Sequence, residues 1–315
     1  MTDPTLVAIA AFTLGAGLSM YAVFAGADFG GGVWDLLAFG ERKAEQRSAI
    51  SRAMGPVWEA NHVWAIFVIV VLFTAFPKGM TGIWTGLFAP LSLVLLGVIL
   101  RGAGFAFRAH DEGAPREQRF FGVVFSVSSL ITPFALGAAA GVVAAGDLKP
   151  SGDGWQMVPW NVVLSPFPIV TGLLAVCICA YTAATFLTAQ TEGALRGDFR
   201  RRALVAGGGF ALFSVLGLVL AQDEAPELAH ELLHGRALPL VVVAGVLAIL
   251  GFVVAWTDAA RLARYVAGAF VLAVLWGWAL AQWPYLITPY LTFQDAAASD
   301  AMLEVYLACL AVGAV

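Results

Sequence analysis

Apolar residues along this chain come in long runs, separated by short polar segments. A helix needs about 20 mostly apolar residues to cross the hydrocarbon core of a bilayer. Nine runs reach or approach that length, so the pattern predicts helices over residues 6–38, 55–76, 80–106, 119–145, 160–189, 203–221, 237–256, 263–283 and 300–315. The expected fold is an all-α polytopic membrane protein, and residues 1–315 form one integral membrane domain. Two four-helix bundles plus one peripheral helix fit the spacing.

Composition supports the membrane interpretation. The chain is 60% hydrophobic and 12% charged, whereas soluble domains carry about 25% charged residues. Its mean hydropathy is +0.85. A net charge of only −4 gives no reason to expect a nucleic-acid partner. The last apolar run stops at Val315 without a polar flank, so we expect the native chain to continue beyond it.

Basic residues predict the orientation of the helices. All but three of the 17 lysines and arginines lie in or beside the segments that follow the first, third, fifth and seventh predicted helices. The three exceptions are Lys78, Lys149 and Arg236. Because basic residues concentrate on the cytoplasmic side of a membrane, the N-terminus is expected outside. We expect a multi-pass protein of the cytoplasmic membrane.

Two carboxylates interrupt the first two apolar runs. Asp28 lies in the segment GADFGGG, and Glu59 lies in GPVWEANHVW. An ionised carboxylate at bilayer depth is unfavourable by several kcal/mol unless it is paired, hydrated or protonated. Three consecutive antiparallel helices would bring Asp28, Glu59 and Arg101 into the same, cytoplasmic half of the membrane.

The residues leave three interpretations of these carboxylates open. The first is a proton path from the cytoplasm through Asp28, Glu59 and His62, in which Glu59 and His62 share a helical face because they are three residues apart. The second is a structural ion pair of Asp28 or Glu59 with Arg101. The third is a cation site. The supporting residues are expected to be Trp58, Asn61, Trp64, Arg101 and Arg108, the last as an anchor at the inner membrane face.

A second motif suggests metal chemistry but lacks support. The segment 230–234 reads HELLH, which matches the H-E-x-x-H pattern of zinc proteases. A third ligand would have to be Glu224 or Glu227, with poor helical geometry, so we favour a short interfacial helix with solvated histidines and expect no metal site. Haem iron requires His, Met or Cys ligands. The predicted spans offer His62, a few methionines and three cysteines, Cys177, Cys179 and Cys309, which we interpret as small packing residues.

The motifs around the carboxylates carry a family resemblance. Residues 26–32, 55–64, 76–77 and 101–108 resemble, in order and spacing, subunit II of cytochrome bd-type quinol oxidases. The sequence Glu-Ala-Asn-His at 59–62 is similar to the cyanide-insensitive branch of that family. The resemblance extends more loosely over the remaining spans, and the last span of the family usually runs further than this chain does.

The resemblance implies a function that the residues alone do not establish. Such a subunit forms a heterodimer with a haem-bearing subunit I, which holds haem b, haem d and the quinol site. The complex is a terminal oxidase of the bacterial respiratory chain that oxidises quinol from the membrane pool and reduces dioxygen to water. Subunit II ligates no haem and contributes no catalytic residue; Asp28 and Glu59 would line its proton path.

Other features of the assembly stay open at the sequence level. Some family members bind a structural quinone in this subunit, and a small accessory subunit and bound lipids are further partners to consider. The competing function is a proton- or cation-coupled transporter, which would share the buried carboxylates but place its substrate site at broken helices near the midplane.

Overall fold

The chain folds almost entirely into helices. The computed structural model describes residues 2–110, 115–257 and 259–313, and it describes the backbone alone at helical positions 54, 56, 59, 108–110, 115–119, 255, 256, 260 and 261. The described helices are α1 (Pro4–Leu36), α2 (Lys43–Ala75), α3 (Pro77–Gly86), α4 (Phe88–His110), α5 (Pro115–Ala144), α6 (Trp160–Val163), α7 (Pro166–Gln190), α8 (Gly193–Glu224), α9 (Pro226–Leu233), α10 (Leu238–Trp256), α11 (Ala260–Gln282), α12 (Phe293–Ala296) and α13 (Asp300–Gly313).

Two short antiparallel hairpins lie between the long helices. The strands are β1 (Pro150–Ser151), β2 (Gly154–Trp155), β3 (Tyr285–Ile287) and β4 (Leu291–Thr292). In the first hairpin Pro150 is opposite Trp155, and in the second Tyr285 is opposite Thr292. Leu148, next to the first hairpin, and Ile287 of β3 are buried in one apolar cluster that also contains Leu87. Both hairpins therefore pack at the end of the molecule where α3 meets α4.

Fewer than nine of the described helices, or bent helix pairs, qualify as candidate membrane spans. Six described helices are long and apolar enough to cross a membrane, or eight if each of two bent helix pairs counts as one span. The six are α1, α4, α5, α7, α8 and α11, and the pairs are α2 with α3 and α9 with α10. The polytopic all-α class is thus confirmed, whereas the count of nine is not.

Proline positions explain the largest differences from the predicted boundaries. The chain turns by 118° between α2 and α3, because Phe76 precedes Pro77 and a residue before proline is disfavoured in the helical conformation. That turn agrees with the predicted boundary between residues 76 and 80. The prediction of one helix over 80–106 is wrong, however, since α3 ends at Gly86 and α4 begins at Phe88. Residues 160–189 are likewise divided into α6 and α7, which begins at Pro166.

The ends of two other predicted spans also differ. Helix α2 begins at Lys43 rather than near residue 55, so positions 55 and 56 lie inside the helix instead of starting it. The last predicted span corresponds to α13, which has 14 described residues, fewer than the about 20 that a crossing needs.

Three helices form the centre of the packing. Helices α1, α5 and α7 contact one another, α2 packs on α1, and α4 packs on α5. Helix α8 packs on α7, and α10 packs on α11, which itself contacts α1 and α7. Because α1 and α5 both contact α7, the division into two separate four-helix bundles stays a prediction.

Glycines of α1 allow its close approach to α7. A Cβ atom added at Gly30 would lie 1.9 Å from the backbone oxygen of Cys179, in the middle of α7. Real Cβ atoms do not approach a backbone oxygen so closely, and a backbone atom cannot rotate away as a flexible side chain can. Gly30 therefore sets the distance between the two helices.

We expect Gly30→Ala to destabilise the protein by about 1–3 kcal/mol or more, since the added methyl group overpacks a backbone contact. Thermal unfolding of the detergent-solubilised protein measures the loss. Gly245→Ala in α10 is the matched control, because a Cβ atom there meets nothing within 4 Å. Equal unfolding temperatures for the two variants would contradict this account of the α1–α7 contact.

Candidate functional site

A buried ion pair joins α1 to α4. The Arg101 guanidinium donates from Nη1 to Asp28 Oδ2 at 2.7 Å and from Nη2 to Asp28 Oδ1 at 2.6 Å. A third bond runs from Nη2 to the backbone oxygen of Asp28 at 3.1 Å. Asp28 is 0% exposed and Arg101 is 1% exposed. Two short, parallel, charge-assisted bonds make this the strongest form of an arginine–carboxylate contact.

Two further helices complete the polar network. Asn61 of α2 donates from Nδ2 to Asp28 Oδ2 at 3.1 Å. Arg101 Nε donates to the Ser129 hydroxyl of α5 at 2.8 Å, and that hydroxyl donates to the backbone oxygen of Phe125 at 2.7 Å. One carboxylate and one guanidinium thus tie together α1, α2, α4 and α5.

Small and aromatic residues shape the space around the guanidinium. A Cβ atom at Gly32 would lie 2.1 Å from Ser129 Oγ, so only glycine there lets α5 bring its serine to Arg101. The Arg101 Cζ atom lies 5.1 Å from the centre of the Phe29 ring and 4.7 Å from that of Phe125. Stacking on aromatic faces favours a cation out of water, so the site can hold the charge of Arg101 away from solvent.

The ion pair that the sequence left open is therefore formed, with Asp28 as the partner of Arg101. Removing one member of a buried pair leaves an uncompensated charge and costs about 3–5 kcal/mol. The pair is therefore a strong structural contact between α1 and α4.

A second buried carboxylate among the described residues, which the sequence analysis did not single out, lies two turns further along α1. Asp35 is 1% exposed, and its Oδ2 accepts a hydrogen bond from the Ser126 hydroxyl at 2.9 Å. Arg47 Nε lies 3.8 Å from its Oδ1. The spacing of seven residues from Asp28 is two helical turns, and Ser126 and Ser129 are one turn apart on α5. The aspartates repeated along α1 and the serines repeated along α5 are the sequence pattern from which the burial of Asp35 could have been predicted.

Trp58, His62 and Phe105 stack beside the network. The His62 and Trp58 ring centres lie 4.7 Å apart, and Trp58 stacks on Phe105 of α4 at 5.7 Å. His62 Nδ1 lies 2.8 Å from the backbone oxygen of Trp58; since a carbonyl oxygen only accepts, Nδ1 carries a hydrogen. Trp64 packs against Phe67 and has no contact with the ion pair among the hydrogen bonds described.

Two sequence-predicted residues cannot be assigned partners. The side chains of Glu59 and Arg108 lie outside the described part of the structure, which gives only their helical backbone. Their places are nevertheless fixed by the helices that carry them. Position 59 lies within one turn of Asn61 and His62 on α2, and position 108 lies in the last turn of α4.

A separate polar cluster joins the N-terminal parts of α2 and α8. Arg42, just before α2, donates to both carboxylate oxygens of Asp198 at 2.6 and 2.9 Å, and the side-chain hydrogen bond to Asp198 raises the pKa of Arg42. Gln46 donates to the same carboxylate and accepts from Arg202. The Arg42 side chain is 42% exposed, so this pair is a surface counterpart of the buried one.

The H-E-x-x-H segment does not assemble a metal site among the described residues. His230 and His234 have ring centres 5.8 Å apart, but Glu231 accepts hydrogen bonds from Arg236. No group of three or more His, Cys, Asp or Glu side chains in the described ranges could hold a metal ion. The zinc protease hypothesis therefore lacks a third ligand there.

Comparison with known families identifies the chain. The family model for cytochrome bd terminal oxidase subunit II matches residues 6–315. The chain belongs to this family. The resemblance that the motifs at 26–32 and 55–64 indicated is thereby confirmed.

Individual relatives of this subunit II chain are distant. It is 24% identical over 213 residues to the putative cytochrome bd menaquinol oxidase subunit II of Bacillus subtilis (strain 168), a match that covers 65% of this chain and 60% of the relative. It is 28% identical over 200 residues to the cytochrome bd-I ubiquinol oxidase subunit 2 of Escherichia coli (strain K12), covering 59% of this chain and 49% of the relative. The chain spans between about half and three fifths of the length of these relatives.

A solved structure shares the fold over nearly the whole chain. The match is to a chain of the bd oxidase from Geobacillus thermodenitrificans, with a TM-score of 0.83 and 21% sequence identity. It covers 98% of this chain and 94% of the other. At this identity the likeness shows that the fold is shared.

We expect Arg101→Gln to destabilise the protein by roughly 3–5 kcal/mol, because Asp28 is left buried and unpaired. The double variant Asp28→Asn/Arg101→Gln should lose less stability than Arg101→Gln alone, because both charges are then removed and none is left buried without a partner. Thermal unfolding of the single and double variants measures the coupling between the two residues. Arg42→Gln, which removes the exposed pair with Asp198, is the control and should lose far less stability. Simple additivity of the two buried substitutions would contradict a coupled pair.

Proposed function

We propose that this chain acts as subunit II of a bd-type quinol oxidase in a bacterial cytoplasmic membrane. Its family membership supports this directly, and the relatives named above are subunits of menaquinol and ubiquinol oxidases. The partner would be a haem-bearing subunit I, and the complex would oxidise quinol and reduce dioxygen. This chain would support that subunit and deliver protons to it from the cytoplasmic side.

The buried Asp28–Arg101 pair carries the proposal for the site. It fixes the carboxylate with two bonds of 2.6 and 2.7 Å and leaves α2 positioned so that Asn61 contacts it. We assign Asp28 to holding a permanent negative charge in the membrane half where protons enter. We assign proton transfer to Glu59 and His62, which are three residues apart on α2, the helix whose Asn61 contacts that charge.

Physical reasoning favours this division of roles. A group that carries protons must gain and lose one at small cost, whereas Asp28 would lose its contacts with Arg101 each time. The ion pair as a whole is neutral, so it acts on the neighbouring groups as a fixed dipole. Asp28 thus remains part of the proton path as its electrostatic element rather than as a carrier.

The haems fit the partner subunit better than this chain. His62 is the histidine beside the polar network, and its Nδ1 is already engaged with the backbone of Trp58. The cavity next to it measures about 30 Å³, room for a water molecule and not for a porphyrin. Haem b and haem d would supply electron transfer and oxygen reduction from the partner. A structural quinone and a small accessory subunit stay predictions.

The transporter alternative receives no specific support from the geometry. Transporters bind substrate where helices are broken near the midplane. The described breaks lie at Phe76 and between α9 and α10. Phe76 is 15 residues after Asn61, or about 22 Å along a helix, so the polar network and this break are far apart.

We expect haem absorption bands in the visible spectrum when this chain is purified with its partner. The same chain purified alone should lack them, because its described histidines do not form a haem pocket. Stoichiometric haem on the isolated chain, or a stable complex with partners that carries none, would contradict the proposed function.

Replacing the proposed carrier should stop turnover without preventing assembly. Glu59→Gln keeps size and polarity but cannot take up a proton, so oxygen consumption by the assembled complex should fall by at least about a hundredfold, the lower end of what a positioned proton donor contributes. Glu45→Gln, at an exposed position in the first turn of the same helix, is the control and should keep its rate. Normal turnover of an assembled Glu59→Gln complex would remove Glu59 from the path.

A further inference from the structure

The turn between α1 and α2, residues 37–42, exposes large apolar side chains. Leu37 is 51% exposed and Phe39 is 73% exposed, whereas Val33 and Trp34 in the last turn of α1 are buried. Apolar side chains that lie together on a surface and face outward mark a site of contact with a membrane or a partner. The α1–α2 turn is therefore a candidate interaction surface.

In the predicted orientation this turn reaches the depth of the lipid headgroups. Leu36, at the end of α1, is eight residues beyond Asp28, or about 12 Å along the helix. Asp28 lies in the predicted cytoplasmic half of the membrane, and half of the hydrocarbon core is about 15 Å thick. An irregular turn exposed to lipid does not lie within the hydrocarbon itself. The exposed apolar side chains thus lie where acyl chains meet headgroups.

Arg42, at the end of the turn, has donors to spare. Its Nε and Nη2 donate to Asp198, and no hydrogen bond of its Nη1 occurs among the described residues, although the side chain is 42% exposed. Arg202 lies on the other side, with Cζ 5.8 Å from the centre of the Phe39 ring. Its Nη1 is buried and likewise has no hydrogen-bond partner within the described ranges. One carboxylate, that of Asp198, thus interacts with two guanidinium groups.

The segments around the turn are positively charged. Residues 35–52 carry four basic and three acidic side chains, and residues 192–202 carry four basic and two acidic ones, so together they hold a net charge of +3. The chain as a whole has a net charge of −4. Arg42 and Gln46 join the two segments through Asp198, which keeps this charge in one place. Basic residues beside the cytoplasmic end of a membrane helix attract anionic lipids.

We propose that the α1–α2 turn binds an anionic phospholipid of the cytoplasmic leaflet. Phe39 and Leu37 contact its acyl chains, and Arg42 donates from Nη1 to its phosphate group. Apolar side chains flanked by basic ones are the arrangement that binds anionic bilayer surfaces, and a planar guanidinium matches the geometry of a phosphate. The inference rests on the membrane placement in the proposed function and not on the oxidase reaction.

Three charge variants separate lipid binding from the contact between α2 and α8. Arg42→Gln removes the proposed phosphate donor together with the Asp198 pair, whereas Asp198→Asn weakens the pair and leaves the donor in place. Arg52→Gln is the matched control, because Arg52 is another exposed arginine of α2, and its Nη1 donates to Ser48. All variants are made in the full chain and purified with its partners.

Mass spectrometry of the intact, delipidated complex counts the bound lipids during titration with phosphatidylglycerol, with zwitterionic phosphatidylcholine as the comparison. Arg42→Gln should weaken phosphatidylglycerol binding by about fivefold, the contribution of one basic residue near an anionic surface, while Arg52→Gln and Asp198→Asn keep it. Phe39→Ala should weaken the binding of both lipids by roughly tenfold, since it withdraws a phenylalanine side chain from the apolar layer.

Equal losses in Arg42→Gln and Asp198→Asn would overturn the proposal, because the arginine would then act only through the contact between α2 and α8. Equal losses in Arg42→Gln and Arg52→Gln would also overturn it, since they indicate a diffuse charge effect rather than a site. A cryo-electron microscopy map in which a protein segment covers Phe39 would assign the surface to a protein partner instead. The lipid count does not depend on turnover or on haem, so failure of the proposed oxidase function leaves this result distinct.

Discussion

The burial of Asp28 inside the helix bundle is a constraint on which much of this structure depends. The fully buried Asp28 is met by Arg101 with two parallel bonds, and Asn61 adds a third contact. Arg101 in turn requires Ser129 and two phenylalanine rings around its planar group. These partners come from four helices, so the cost of burying one charge fixes the relative positions of α1, α2, α4 and α5.

The same requirement accounts for residues that have no polar role. Gly32 gives Ser129 access to α1, and Gly30 lets α7 approach on the neighbouring side. A larger residue at either position would move a helix by more than a hydrogen bond tolerates. The glycine-rich segment of α1 is therefore as much a part of the ion-pair site as the charged residues, since it sets the interhelical distances on which their bonds depend.

The proposed function separates fixed charges from groups that exchange protons. Asp28 and Arg101 are held to each other by short hydrogen bonds, and two turns along α1 the Asp35 carboxylate accepts a hydrogen bond directly from Ser126 of α5. His62 of α2 lines the small cavity beside this ion pair. In the proposed path, the groups that exchange protons are thus separate from the charges that hold the helices together.

The sequence by itself determined the all-α membrane class, the family, and the fact that Asp28 needed a partner, because hydropathy and the cost of a bare charge are local properties. It did not determine which carboxylate takes Arg101, that Asp35 is buried as well, or that α3 and α4 are separate helices. Those outcomes depend on helix rotation and on the contacts between helices far apart in the chain. The spacing of residues along one helix determines which of them lie on the same face. Only the packing of the helices determines which residues that face contacts.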